Sequence, residues 1–184
     1  MGEANLMRIR TAAIADRDTV LKWINNEVVW AVDSPDPYQT KSREEFGPSW
    51  REIVDMGSAW IMEVDDKPVG HLGWVPQRQA VGEFYIVIGE PDYWGMGYGR
   101  QAMEWMLSEA ALRELKALYG RVLGHNIGAL KFFTAMGFDQ ISKDRDFFER
   151  DGAMHDLHWI ARKVDDHCQP ISKWSDWPAL TAAR

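Results

Sequence analysis

A single cysteine, Cys168, occurs in 184 residues, so no intrachain disulfide and no cysteine-rich zinc site can form. Basic residues are in deficit: 21 Lys and Arg stand against 28 Asp and Glu, a net charge of −7. That balance argues against nucleic acid as a partner and is compatible with an amine-bearing one. No apolar run approaches membrane-spanning length, and the N-terminal residues lack the apolar segment of a signal peptide. The expectation is a cytoplasmic protein with no membrane partner. Repeats and low-complexity segments are also missing. Ten tryptophans are abundant and imply large flat apolar surfaces, some at a pocket or an interface.

Hydrophobic periodicity predicts a first strand over Met7–Ala13, then a helix from Asp16 carrying Val20, Leu21, Ile24 and Val28. Asp33–Lys41 reads as a loop. Arg43–Met56 is amphipathic, and Pro48 within it predicts a helix that starts or breaks there. Ser58–Val64 and Pro68–Val75 form a hairpin about Asp65-Asp66-Lys67, and Val81–Ile88 is the next strand. A helix follows with Ala102, Met103, Met106, Leu107 and Ala110 on one core-facing stripe. Then come a strand at Ala117–Leu123 and a helix capped by Asn126 and stopped by Gly137. A last hairpin, Phe138–Ser142 with Met154–Lys163, has a turn at Asp151-Gly152. This order predicts an α/β (α+β) fold, a mixed and mostly antiparallel sheet flanked by helices on both faces. The expected organisation is one domain over residues 1–163 and an irregular extension over 164–184, which packs on the domain or on a second copy of the chain.

The central stretch is Glu83–Ala102, EFYIVIGEPDYWGMGYGRQA: a strand, a turn with Gly95, Gly97 and Gly99, and a helix. Glycines let backbone N–H groups approach a ligand, and a helix start adds about half a positive charge, so the stretch is suited to an anion. Gly97–Ala102 satisfies the dinucleotide pattern G-x-G-x-x-A, but no repeated strand–helix–strand unit follows. The next strand also ends in Gly124-His125-Asn126, without a carboxylate for a ribose. A Walker loop is excluded because no Gly-Lys-Ser/Thr follows. His155 and His158, three apart on a strand, face opposite sides, so no metal site is expected.

Pro91–Gly99 resembles the acetyl-CoA pyrophosphate loop of the GNAT N-acetyltransferase superfamily, Arg/Gln-x-x-Gly-x-Gly/Ala. Trp94 replaces the common Arg or Gln, as in the branch resembling ribosomal-protein N-terminal acetyltransferases. Asn126–Phe138 is similar to the family's N-x-x-A-x-x-x-[YF]-x-x-x-G-F helix, and together the likeness covers roughly residues 7–163. The resemblance implies acetyl-CoA as co-substrate, held by Trp94, Gly95, Met96, Gly97, Tyr98, Gly99 and Arg100. Along the pantetheine it implies Ile86, Val87, Ile88, Asn126, Ala129, Phe132 and Phe133. It implies that the strand at Tyr85–Ile88 splays from its neighbour near Leu123, with a backbone N–H near Val87 polarising the thioester carbonyl. Glu83 matches the position of a proton-accepting carboxylate, with Glu90 and His125 as further candidates. The tyrosine that often protonates the leaving thiolate is replaced by Phe133, leaving Tyr85, Tyr98, Thr134 or water to serve; of these Tyr85 is the expected catalytic hydroxyl.

Cys168 lies away from both motifs, so direct attack in a ternary complex is expected, without an acetyl-enzyme. Trp30, Asp33, Asp36 and Tyr38 give an acidic, aromatic lining for an amine acceptor, small molecule or peptide. A protein N-terminus, an aminoglycoside and a small amine such as a polyamine or amino sugar remain open. The reading of a different class is a CoA-binding module that has lost catalysis.

Overall fold

A computed structural model describes residues 7–164; Cys168 and the rest of the 165–184 stretch lie outside the described residues. The strands are β1 (Met7–Thr11), β2 (Ala59–Val64), β3 (Lys67–Gln77), β4 (Val81–Ile88), β5 (Ala117–Leu123), β6 (Asp139–Arg150) and β7 (Ala153–Lys163). The α-helices are α1 (Arg17–Ile24), α2 (Glu27–Asp33), α3 (Arg43–Asp55), α4 (Tyr98–Leu112) and α5 (Ile127–Ala135). The strands form one sheet in the order β1-β2-β3-β4-β5-β7-β6. It is mixed and mostly antiparallel: β4 and β5 run parallel, Val81–Glu83 beside Ala117–Tyr119, joined by the crossover through α4. The chain divides into two compact units. The first holds residues up to Trp74 with Tyr85–Met106, and the second holds Val75–Phe84 with residues from Leu107.

In the first unit the β2–β3 hairpin closes on Asp65 and Asp66, at φ 50° and 60°. A two-residue turn with both φ positive matches the strand twist, and Asp tolerates that conformation. All six residues of β2 are buried, as a strand covered on both sides requires. Ile61 packs with Val20 and Trp23 of α1 and with Phe46 and Trp50 of α3. Trp60, of opposite parity, lies 4.8 Å from Trp74 and 5.1 Å from Trp105 of α4. Helices therefore cover both faces of these strands. The predicted α4 stripe is buried at Ala102, Met103, Met106 and Ala110, with Leu107 partly covered.

In the second unit Phe84, Phe133 and Phe138 pack mutually at 5.1–5.4 Å. Gly120 leaves room for them, since a Cβ there would meet the Phe84 ring at 2.7 Å. The β6–β7 hairpin turns at Asp151-Gly152, as expected, with φ 52° and 75°.

Three expectations are corrected. The helix predicted to run from Asp16 through Val28 is a 3-10 turn and two helices, because the Asn26 side chain accepts the Val28 N–H and caps α2. The two-residue break shifts the helical phase, so Val29 is buried and Val28 is 54% exposed. Pro48 neither starts nor breaks α3. Ser42 and Glu45 form a capping box at its start, and Gly47 before Pro48 has no Cβ for the proline ring to strike. Strand β6 extends well past Ser142, to Arg150, accommodating register shifts at Gln140/Ser142 and Asp144/Phe148.

Candidate active site

After β4 the chain passes Gly89, whose missing Cβ admits the Trp23 ring, since a Cβ there would fall 2.1 Å from it. The N–H groups of Gly89 and Glu90 both donate to the Val69 carbonyl, at 2.9 and 3.2 Å. The Glu90 carboxylate accepts from Lys22 Nζ at 2.6 Å and from the Trp23 indole at 2.9 Å, fixing α1 to the end of β4. These donors hold its carboxyl below the usual range, against the opposing effect of desolvation. A 3-10 turn, Pro91–Tyr93, leads to Trp94, whose indole donates to the Ile88 carbonyl at 2.8 Å. Trp94 thus ties the loop back to the end of β4.

Gly95 and Gly97 have φ of +73° and +88°, with open space where a Cβ would be. The required conformation, not crowding, calls for glycine at both. Helix α4 then begins. The Arg100 and Gln101 N–H groups donate to Gly97 O at 3.1 and 3.2 Å, while those of Tyr98 and Gly99 precede any intrahelical acceptor. Met96 is exposed, the Tyr98 ring lies 5.9 Å from Tyr93, and the half-exposed Arg100 guanidinium is 3.8 Å from Glu104. The arrangement is an anion cradle made by backbone geometry, with one loosely held cation beside it.

Ile86, Val87 and Ile88 continue β4 half-buried. On the sheet face that α1 and α3 cover, Tyr85 lies 5.5 Å from the His71 ring. That ring stacks on Trp23 at 6.1 Å and meets the edge of Trp50 at 6.4 Å. Solvent reaches part of both side chains, but the Tyr85 hydroxyl and both His71 nitrogens are buried without a hydrogen-bond partner among the described residues. Burial pushes the His71 imidazole down to about 4 and the Tyr85 phenol up.

Trp30, Asp33, Asp36 and Tyr38 lie at the end of α2 and in the loop after it. The Trp30 indole donates to Asp36 O at 2.9 Å, Tyr38 donates to Asn25 O at 2.7 Å, and the two rings meet edge to face at 6.1 Å. The loop uses their polar groups on itself and leaves aromatic faces. Asp33 is exposed, and desolvation pushes its carboxyl up.

The second unit holds Glu83 and the second motif. Glu83 accepts from the Tyr119 hydroxyl at 3.1 Å and pairs with Arg121 at 2.9 Å. Arg121 in turn lies over the Trp159 ring at 5.7 Å. Desolvation and the Glu83 carboxylate push the Tyr119 phenol up. Asn126 caps α5 by accepting the Ala129 N–H at 3.0 Å. Phe133 is buried, while Phe132, 5.0 Å from it, is partly exposed. Thr134 donates back to Leu130 O at 2.9 Å. The His125 ring lies 5.6 Å from His155 and bonds Arg150, whereas His158 bonds Gln140. Among the described residues no cluster of His, Cys, Asp and Glu is placed to hold a metal, and no helix is long and apolar enough to cross a membrane.

The first unit holds Tyr85–Ile88, Trp94–Arg100 and Trp30–Tyr38, and the second holds Glu83, Asn126, Ala129, Phe132 and Phe133. Sequence reasoning missed His71, Tyr119 and Arg121. For His71 the signal was a polar residue set in Gly70-His71-Leu72-Gly73, within an otherwise apolar strand. For Tyr119 and Arg121 no sequence signal exists, because the parallel pairing that sets Tyr119 beside Glu83 is not locally encoded.

A sequence model described as the acetyltransferase (GNAT) family matches residues 23–138. Among solved structures, an acetyltransferase from Salmonella typhimurium with its cofactor acetyl-CoA superposes with TM-score 0.75 at 17% identity, covering 91% of this chain and 99% of the other. Spermidine N-acetyltransferase from Vibrio cholerae, in complex with CoA and spermine, gives 0.75 at 18% identity over 86% and 95%. A ribosomal-protein-alanine N-acetyltransferase from Brucella melitensis gives 0.72 at 19% identity over 85% and 99%. Two uncharacterized proteins of Methanocaldococcus jannaschii, one named an N-acetyltransferase, are 24% and 25% identical over 79% and 56% of this chain. The chain spans 31% and 48% of their lengths.

Proposed function

The chain belongs to the acetyltransferase (GNAT) family, and on that premise we propose that it moves the acetyl group of acetyl-CoA to a primary amine by direct attack. The observation that carries this is the cradle at Gly95, Gly97 and the start of α4, which suits a pyrophosphate. Arg100 adds charge, and the β4 backbone from Tyr85 to Ile88 pairs with the pantetheine arm. The Val87 N–H polarises the thioester carbonyl. Asn126, Ala129, Phe132 and Phe133 are the further pantetheine residues that the family resemblance implies.

An alkyl ammonium with a pKa near 10 must lose a proton before it attacks. Glu83 is the base, oriented by Arg121 and Tyr119. The amine nitrogen attacks the carbonyl carbon, the C–N bond forms and the C–S bond breaks. The nitrogen's proton passes to Glu83 or water, and the thiolate takes a proton from solvent. A thiol pKa near 8.5 makes that leaving group adequate without a side-chain acid. Thr134 is engaged with Leu130, and the Tyr85 hydroxyl lies in the cluster under α1 and α3, so on this reading it serves the acceptor. Asp33 supplies the charge that draws the amine, between the faces of Trp30 and Tyr38 and beside Asp36.

Acetylation assays across peptide N-termini, aminoglycosides and polyamines test the reading, and inactivity on every amine refutes it. The neighbour that binds spermine supports a small polyamine, and the ribosomal-protein neighbour a peptide amine. Phe133, buried where the family often has tyrosine, favours a second reading, a CoA-binding module without catalysis. Acetyl-CoA binding without turnover, unaffected by Glu83→Gln, would support it.

A further inference from the structure

Four rings meet on the α1/α3 face of β3 and β4: Trp23, Trp50, His71 and Tyr85. Each carries one polar end. The indoles of Trp23 and Trp50 donate to Glu90 and to the Ala13 carbonyl, at 2.9 and 3.1 Å. The other two rings differ: both His71 nitrogens and the Tyr85 hydroxyl are buried with no protein partner among the described residues. Leaving a buried polar group unpaired is unfavourable, and phenylalanine at either position would fill similar space without it. A Cβ at position 73 would lie 2.4 Å from the Ser58 carbonyl oxygen and 2.5 Å from Tyr85 Oη, so glycine there admits both the neighbouring strand and the phenol. Three unpaired polar atoms on two touching rings are a site prepared for a polar guest.

We propose that His71 and Tyr85 form a specificity subsite of the acceptor site, taking one uncharged hydrogen-bonding group of the amine substrate, a hydroxyl or an amide. The inference rests on the acetyltransferase reading above and narrows its acceptor class. A neutral imidazole presents one donor and one acceptor, and a phenol presents one of each. Among the described residues no carboxylate or ammonium bonds either ring, and burial holds the imidazole neutral. The pair therefore matches a group that both gives and accepts a hydrogen bond. Tyr85 also begins the β4 stretch assigned to the thioester, so the guest group would sit on the same molecule as the attacking amine.

The test compares kcat/KM for matched amines: 3-aminopropan-1-ol against butylamine, and β-alaninamide against pentylamine. The wild-type chain should favour the hydroxyl or amide member about tenfold or more, because a site built to bond a polar group rejects the analogue lacking it. His71→Phe and Tyr85→Phe should bring that ratio close to one, mainly through KM of the polar member. His71→Gln, which keeps a donor and an acceptor, should restore part of the preference. A wild-type ratio of one, or a ratio unchanged in both phenylalanine variants, overturns the subsite. A His71→Phe chain that melts lower while keeping the wild-type ratio overturns it in favour of a structural role. Turnover of alkylamines with no discrimination leaves the acetyltransferase reading standing, whereas no turnover of any amine removes both.

Discussion

An imidazole in water titrates near pH 6.5, whereas that of His71, among Trp23, Trp50 and Tyr85, is pushed down to about 4 by burial. Between those values the unfolded chain binds a proton that the folded chain refuses. Stability is then fully present above pH 6.5 and falls as the pH drops toward 4, by up to about 3 kcal/mol in all. Urea midpoints from pH 8 to 4 should show this slope in the wild-type chain and its loss in His71→Phe; equal slopes would place the imidazole in water. Asp16, Glu63 and Glu90 have lowered carboxyl pKa values, so their losses come at lower pH and cancel in the difference. Glu83 is a different kind of residue, legible by position on its strand but not by partners. Its bonds to Tyr119 and Arg121 depend on the parallel pairing of β4 with β5, which no local pattern encodes. Glu83→Gln keeps the shape and removes the charge, so kcat should fall about 10²–10⁴-fold with acetyl-CoA affinity unchanged. Steady-state kinetics with the best amine would check this, and a kcat within about threefold of wild type would assign the proton to another group.

Elements whose signal is local were legible. Strands β4 and β5 have the bounds their apolar runs predict, and Asn126 caps α5 as its position implies. Both hairpin turns fall where acidic or glycine pairs mark them. Elements decided by a few side-chain bonds were not legible. The α1–α2 break depends on Asn26 accepting the Val28 N–H, and Asn25 bonds the Lys41 backbone twice, while hydrophobic spacing alone continues the helix. The proline rule failed for α3 because it weighs Pro48 without the capping box ahead of it or the glycine before it. The conformation of the Gly95–Gly97 turn was readable because glycine signals positive φ in sequence. Gly97→Ala tests this. With φ at +88° and nothing within 4 Å, its cost is torsional, about 1–2 kcal/mol of stability. Distorting the start of α4 should also weaken acetyl-CoA binding about tenfold, as losing one bond to a charged group would. Calorimetric titration together with a urea melt reads both effects, and unchanged affinity would move the pyrophosphate elsewhere.

At the scale of the whole molecule, donor and acceptor differ in how their recognition is encoded. The family match runs over residues 23–138 and draws on both compact units, so the donor reading has support along much of the chain. On the proposed reading, acceptor recognition rests instead on side chains from α2, its following loop, β3 and β4, where the spacing of a motif carries no information. Binding of the donor to the folded chain alone must therefore register as global stability. At acetyl-CoA a hundredfold above its dissociation constant, linkage adds about 2.7 kcal/mol, which for a chain of this size raises Tm by about 5–10 °C. CoA should give a similar shift, because the cradle holds the pyrophosphate that both share. Butylamine or 3-aminopropan-1-ol alone should shift Tm far less. In a ternary mechanism the acetyl group stays on CoA until an amine arrives. Intact mass after incubation with acetyl-CoA alone should then show the unmodified chain, Cys168 included. An adduct of one acetyl group that an added amine discharges would replace direct attack with an acetyl-enzyme, and a Tm unmoved by acetyl-CoA would remove the donor assignment itself.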